Sequence, residues 1–353
     1  MRIGIPREVK TLEGRVALIP EAAAELVRHG HEVYVEHDAG VSSGYPDDSY
    51  LRLGIRITPD AARLYECVEL IVKVKEPQPQ ELALMHKGHL LFSYLHLAAE
   101  LPLLRALCKI GLTAVAFETV EERGQLPLLA PMSDIAGRIA AQVGAHLLHR
   151  PQGGRGLLLG GLPATERGHV VVLGAGVAGG NAAEVAAALG ARVTVFDRDR
   201  DKLARMRALG NNVTALYPFA DSLRQAVLDC DLLIGAVLVV GEKAPHLVDA
   251  GTVRQMRQGS VIVDISVDQG GCIETTRPTT YADPTYVWEG VVHFAVTNMP
   301  GAVPRTASQA LSAALLPYVL QLAEPGWEAQ TALQKGINIQ RGEVVHPALL
   351  RYL

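Results

Sequence analysis

The run Gly174-Ala175-Gly176-Val177-Ala178-Gly179 follows the apolar stretch Val170–Leu173 and opens an Ala-rich segment, an order that gives the glycines a chemical use. Gly174 permits a tight turn, Gly176 lets backbone approach a pyrophosphate, and Gly179 allows a helix to pack closely on the strand before it. The helix N-terminus then faces the phosphates. A second apolar run, Arg192–Phe196, ends at Asp197. An acid about 20 residues beyond such a turn accepts hydrogen bonds from both adenosine ribose hydroxyls and repels a 2′-phosphate. The combination predicts NAD as cofactor, despite the neighbouring Arg198 and Arg200.

Other candidates follow short apolar runs, the place where open parallel sheets bind ligands. Arg15 lies in the loop after Arg2–Ile5, Lys75 closes Leu70–Lys75, and His96 follows Leu90–Leu95. Arg15 and Lys75 together would clamp a small carboxylate, one as a bidentate fork and the other as a point charge, and histidine, the residue type at position 96, is the common side chain for proton exchange. Taken singly, an Arg or Lys is more often a solvated face and a His more often a surface group. Asp268 follows the apolar strand Val261–Ile265, just ahead of Gln269-Gly270-Gly271, where chemistry and an Asx-type turn are equally served.

These residues need elements to hold them. From residue 1 to about 120, β-branched runs (Arg2–Ile5, Val33–Glu36, Leu70–Lys75, Leu90–Leu95, Thr113–Glu118) alternate with amphipathic stretches (Glu21–His29, Gln80–Met85, Glu100–Ile110). That rhythm predicts parallel strands. A long helix, Ser133–His149, then runs to the break Gly153-Gly154-Arg155-Gly156, which reads as a hinge or boundary. Strand-like and helix-like runs alternate again from His169 to Ile265. The segment Thr306–Leu322 reads as one apolar helix returning to the first half, with Pro317 as an expected kink, and the tail Gly336–Leu353 is uninformative. The fold class expected is α/β, with two doubly wound, Rossmann-like parallel-sheet domains and a cleft between them. One domain takes residues 1–128 plus 306–353 and the other residues 129–305.

Composition narrows the class. With 33 Lys plus Arg against 37 Asp plus Glu and no basic block, nothing suggests a nucleic-acid partner. No uncharged stretch reaches the ~20 residues of a spanning helix, and the start has no signal-like apolar run. Cys67, Cys108, Cys230 and Cys272 are dispersed without a CxxC pair. They read as structural thiols of a reducing compartment, which predicts a cytoplasmic protein.

The motifs together resemble the alanine dehydrogenase family across nearly the whole chain. The likeness is carried by Lys73-Val74-Lys75-Glu76-Pro77, Leu95-His96-Leu97-Ala98, Ala130-Pro131-Met132-Ser133, the glycine turn, Asp268-Gln269-Gly270-Gly271, Arg277-Pro278-Thr279-Thr280 and Asn298-Met299-Pro300, in that order. The resemblance implies NAD-dependent interconversion of L-alanine with pyruvate and ammonia. It implies that Arg15 and Lys75 bind the substrate carboxylate and that His96 and Asp268 form an acid–base pair; since these two lie in different halves, closure of the domains is expected to complete the pair. It also implies NAD contacts at Ser133, Gly174, Gly176, Val177, Ala178, Gly179, Asp197, Lys202, Val237, Leu238, Ile265, Ser266, Val267, Asp268, Arg277, Val296, Thr297, Asn298 and Met299. A homohexamer is the implied assembly.

Two departures stand out. The loop after Leu238 reads Val240-Gly241-Glu242-Lys243-Ala244-Pro245, where the family usually has Pro-Gly-Ala-Lys-Ala-Pro. Some members pair a Glu at the position of Glu118 with a later His at a metal site; here the later position is Pro325, so no metal is carried over. Two alternatives share the architecture. Saccharopine-type dehydrogenases act on a longer, more charged amino acid and would need more cations. A transhydrogenase-like NAD(H)-binding module has no need of an acid–base pair.

Overall fold

The computed structural model describes residues 1–237 and 244–352. The chain divides into two compact units, Met1–Met132 with Gly301–Leu353, and Ser133–Pro300. The Gly153–Gly156 break lies inside the second unit rather than at a boundary.

The first unit is built on β1 (Arg2–Ile5), β2 (Glu32–Glu36), β3 (Arg56–Thr58), β4 (Leu70–Val72), β5 (Leu90–Ser93) and β6 (Thr113–Ala116), ordered β3-β2-β1-β4-β5-β6 and all parallel. The central strands β4 and β5 are buried at every position, as near-continuous apolar runs of a sheet covered on both faces must be. Strand order reverses between β1 and β4, and such a switch point is where doubly wound sheets bind ligands. β4 is shorter than its apolar run suggests. Its ladder with β1 ends at the Gly4–Ile71 pair, and beyond it the N–H groups of Val74 and Lys75 go to the Glu8 carboxylate.

The second unit repeats the plan with β7 (His169–Leu173), β8 (Arg192–Phe196), β9 (Val213–Leu216), β10 (Leu232–Gly235), β11 (Val261–Asp264), β12 (Thr285–Trp288) and β13 (Val291–Phe294), ordered β9-β8-β7-β10-β11-β13-β12. Its switch point lies between β7 and β10. The edge strand β12 is antiparallel to β13, a departure from an all-parallel sheet. A core of Val171, Leu173, Leu233 and Ile262 packs under Val227 and Val253 of the covering helices.

The tail is ordered. β14 (Ile337–Gln340) and β15 (Glu343–Val344) extend the first sheet by antiparallel pairing on β6. Helix Pro304–Leu322 continues through Pro317, and its Ser308 and Ser312 hydroxyls accept the N–H groups of Val16 and Ile19, both at 2.9 Å. That grip fixes the segment carrying Arg15. The helix expected over Ser133–His149 starts earlier, at Ala130, and ends at Leu147.

Candidate active site

At the first switch point, Arg15 and Lys75 are held in different ways. Arg15 is 2% exposed, and its guanidinium meets Glu13 through two parallel bonds, Nε to Oε1 at 2.7 Å and Nη2 to Oε2 at 2.6 Å. Nη1 lies 3.1 Å from the Met132 sulfur. Burial alone would lower its pKa, but the Glu13 hydrogen bonds and charge outweigh it and keep the group cationic. A cavity of ≈ 380 Å³ beside it is lined by Arg15, Arg7, Glu8, Glu13 and Asp38 among others. Lys75 is not among the residues lining that cavity.

Lys75 is half-buried, and its ammonium makes no hydrogen bond or ion pair with a described residue. Burial, and then the positive charge of Arg15, push its pKa below the ordinary lysine value, with Glu76 opposing. Arg15 and Lys75 are thus close enough to repel, and a half-buried cation of this kind suits an incoming anion. Beneath it, Lys73 is fully buried between Glu8 at 3.1 Å and Glu81 at 3.2 Å, which keep its ammonium charged against the cost of burial. Glu8, Glu13 and Lys73 were not expected from the sequence.

His96 follows β5 in the left-handed region, φ 49°. Such a conformation costs a non-glycine residue energy and must be held by its surroundings. Glu118, just after β6, does so by accepting the N–H of His96 at 2.6 Å and of Leu95 at 3.2 Å. The imidazole is exposed, with Nδ1 4.0 Å from the Glu118 carboxylate, and stacks parallel to the Tyr94 ring at 5.9 Å. The Tyr94 hydroxyl in turn donates to the Leu128 carbonyl at 2.5 Å.

In the second unit the three glycines are used differently. Gly174 has φ 96°, and a Cβ there would lie 2.5 Å from the Ala236 carbonyl oxygen; at Gly179 it would lie 1.8 Å from the Gly174 oxygen. At Gly176 nothing stands within 4 Å. Gly176 also precedes helix Val177–Ala188, which has no side-chain cap. Open space beside a helix N-terminus whose first N–H groups lack a side-chain acceptor fits a pyrophosphate. Val177 and Ala178 open that helix, and Ser133 stands on the helix whose Asp134 accepts from Asn181 at 2.7 Å. Asp197 ends β8 beside the same turn, taking the Ala175 N–H at 2.7 Å and the Asp199 N–H at 2.9 Å. Lys202 is in the first turn of the following helix, capped by Asp199. The donor set fits a dinucleotide.

The turn after β11 is organised by Asp264, a fully buried carboxylate not foreseen from the sequence. It accepts from the backbone of Ser266, Cys272 and Ile273 and from the Thr276 hydroxyl, at 2.8 to 3.3 Å. Gly270 and Gly271, with φ 92° and 78°, complete a bend that L side chains adopt only under strain. Asp268 is consequently exposed on the short 3-10 turn Ile265–Gln269, with Ile265 and Ser266 below it and the Ser266 hydroxyl accepting the Val237 N–H at 2.9 Å. Val267 is buried. Val296 bridges to Thr279, Asn298 has φ 62°, and the Met299 carbonyl accepts the Tyr281 hydroxyl. The Arg277 guanidinium lies 4.4 Å from the centroid of the Tyr286 ring. Leu238 and residues 239–243 of the departing loop lie outside the described residues. The four cysteines are free thiols, and no described helix is long and apolar enough to cross a membrane.

Two sheets of the doubly wound order, one carrying a glycine turn and acid at its switch point and the other a pair of cations, define a two-unit α/β protein of the dinucleotide-binding class. Residues 4–136 match the family described as Alanine dehydrogenase/PNT, N-terminal domain, and residues 140–347 match its C-terminal domain. The chain belongs to the alanine dehydrogenase/PNT family. It is 48% identical to an alanine dehydrogenase of Halomonas elongata, covering 99% of this chain and 96% of the relative, and 47% identical to one of Bacillus subtilis, covering 100% and 95%. A solved L-alanine dehydrogenase superposes with a TM-score of 0.96 at 51% identity, covering 99% of this chain and 98% of the other. A transhydrogenase from Sinorhizobium meliloti does so with a TM-score of 0.86 at 26% identity, covering 99% and 100%.

Proposed function

We propose that this chain is an NAD-dependent L-alanine dehydrogenase, catalysing L-alanine + NAD⁺ + H₂O ⇌ pyruvate + NH₄⁺ + NADH + H⁺. The observation that carries it is the pair Arg15 and Lys75 at the first switch point, in a chain alike over its full length to alanine dehydrogenases. Arg15, aimed by Glu13, and Lys75 hold the substrate carboxylate, and holding the reacting carbon in place lowers a barrier by roughly 7–11 kcal/mol in favourable cases.

A bound nicotinamide would supply the acceptor for the hydride that leaves Cα. The open space at Gly176, in the turn shaped by Gly174 and Gly179, would take its pyrophosphate and Asp197 its adenosine ribose, which favours NAD over NADP. Ser133, Lys202, Val237, Leu238, the Ile265–Asp268 turn, Arg277 and Val296–Met299 complete its contacts. His96 exchanges the proton on the substrate nitrogen or oxygen, and Asp268 takes a proton from the water that adds to the imine carbon. Each contributes a factor of about 10²–10⁴ when well placed. A homohexamer in the cytoplasm is the expected assembly and setting.

The test is NADH formation at 340 nm with L-alanine at alkaline pH, where the neutral amine is populated, with NADP, D-alanine and other L-amino acids in parallel. Turnover confined to L-alanine and close analogues with NAD is expected. NAD binding without turnover of any amino acid would replace this reading with that of a binding module, and a preference for a longer charged amino acid with that of a saccharopine-type enzyme.

A further inference from the structure

Two buried carboxylates, Glu8 and Glu81, share the Lys73 ammonium, yet only one of them also touches the segment that presents Lys75. Glu8 Oε1 accepts the Val74 N–H at 2.6 Å and Oε2 accepts the Lys75 N–H at 3.3 Å, while Lys73 Nζ donates to Oε2 at 3.1 Å. Lys73 Nζ also donates to the Lys75 carbonyl at 3.0 Å. Both backbone polar groups of Lys75 are therefore engaged by the Glu8–Lys73 pair, where the β1–β4 ladder has already ended. Glu81 faces the other way. It takes the Tyr65 hydroxyl at 3.0 Å and the Gln78 N–H at 2.8 Å, and no hydrogen bond joins it to residue 74 or 75.

We propose that Glu8 is a positioning residue for the substrate carboxylate: through the backbone of residues 74–75 it fixes where the Lys75 ammonium stands, with Lys73 as its counter-charge. Glu8 comes from the loop after β1, as Arg15 does, so one loop sets both cations of the clamp. The inference rests on the role given to Lys75 above.

Glu8→Gln and Glu81→Gln are charge-matched, since each leaves Lys73 with one carboxylate. Their difference isolates the backbone grip. With wild-type turnover established first, Glu8→Gln is expected to raise the KM for pyruvate by about tenfold while leaving NADH affinity unchanged, and Glu81→Gln to keep that KM within about twofold. In a Lys75→Met background, Glu8→Gln should add less than about twofold, because residues acting through one group are not additive. If Glu8→Gln does not fold, Glu8→Asp, which keeps the charge but shortens the reach, should show the KM rise instead.

Equal effects of the position-8 and position-81 variants on KM, or a full Glu8 effect in the Lys75→Met background, would overturn the proposal. Absence of wild-type turnover would overturn the functional reading instead, so the two failures are distinguishable.

Discussion

Alanine at Gly176 and alanine at Gly179 should fail for opposite reasons. At Gly179 the added Cβ would sit 1.8 Å from the Gly174 carbonyl oxygen, a backbone atom that cannot rotate away. Overpacking of this kind costs about 1–3 kcal/mol. Against it stands the roughly 0.5–1 kcal/mol gained by replacing a helical glycine. Taking the upper part of the overpacking range leaves a net loss of about 2 kcal/mol, or about 4–8 °C in Tm for a unit of this size. At Gly176 the backbone is ordinary, φ −70° and ψ −165°, and nothing lies within 4 Å, so apo stability should stay within about 0.5 kcal/mol. Its Cβ would instead occupy the space offered to the pyrophosphate, and about tenfold of NADH affinity, near 1.4 kcal/mol, should go. Thermal melts without ligand and NADH fluorescence titrations measure the two effects separately. Undiminished NADH binding by Gly176→Ala, or a Tm loss equal to that of Gly179→Ala, would refute the fit of the glycine turn to a dinucleotide.

Glu13→Gln removes the carboxylate that grips a guanidinium 2% exposed. Breaking a buried pair costs about 3–5 kcal/mol, so urea unfolding should show a loss of that order, and less than about 1 kcal/mol would mean the pair does not orient Arg15. Burial and Arg15 lower the Lys75 pKa. Its ammonium is therefore lost at a lower pH than in a free lysine, and the KM for pyruvate should be flat at neutral pH and rise on the alkaline side. Lys75→Arg, charged throughout, should remove the rise; superimposable KM–pH profiles would exclude Lys75 as the titrating group. His96→Ala should abolish turnover and leave the NADH titration curve unchanged, and loss of both together would place His96 in the fold rather than in the chemistry.

The dinucleotide turn was legible because its determinants are local. Strand, glycines, helix and acid lie within thirty residues; Gly174 and Gly179 answer steric demands made by backbone close in the chain or on the next strand, while Gly176 leaves open space. Arg15, Lys75, His96 and Asp268 were legible as residues following strands and through the family resemblance, with no indication of what aims them. Their partners are distant in sequence or disguised by type. Glu8 reaches Lys75 across 67 positions because β1 and β4 are neighbours, and Glu118 reaches His96 because β5 and β6 are. Asp264 looks like the polar end of an apolar strand until the turn folds back to supply three backbone N–H groups, the Thr276 hydroxyl and the Cys272 thiol as donors. The tail was opaque for a further reason. Its hairpin turns at Arg341-Gly342, with φ 52° and 87°, the two-residue geometry usually announced by Asn-Gly or Asp-Gly. With Arg in the first place that signal is silent, and β14 finds its position from the exposed edge of β6, which only the assembled sheet provides.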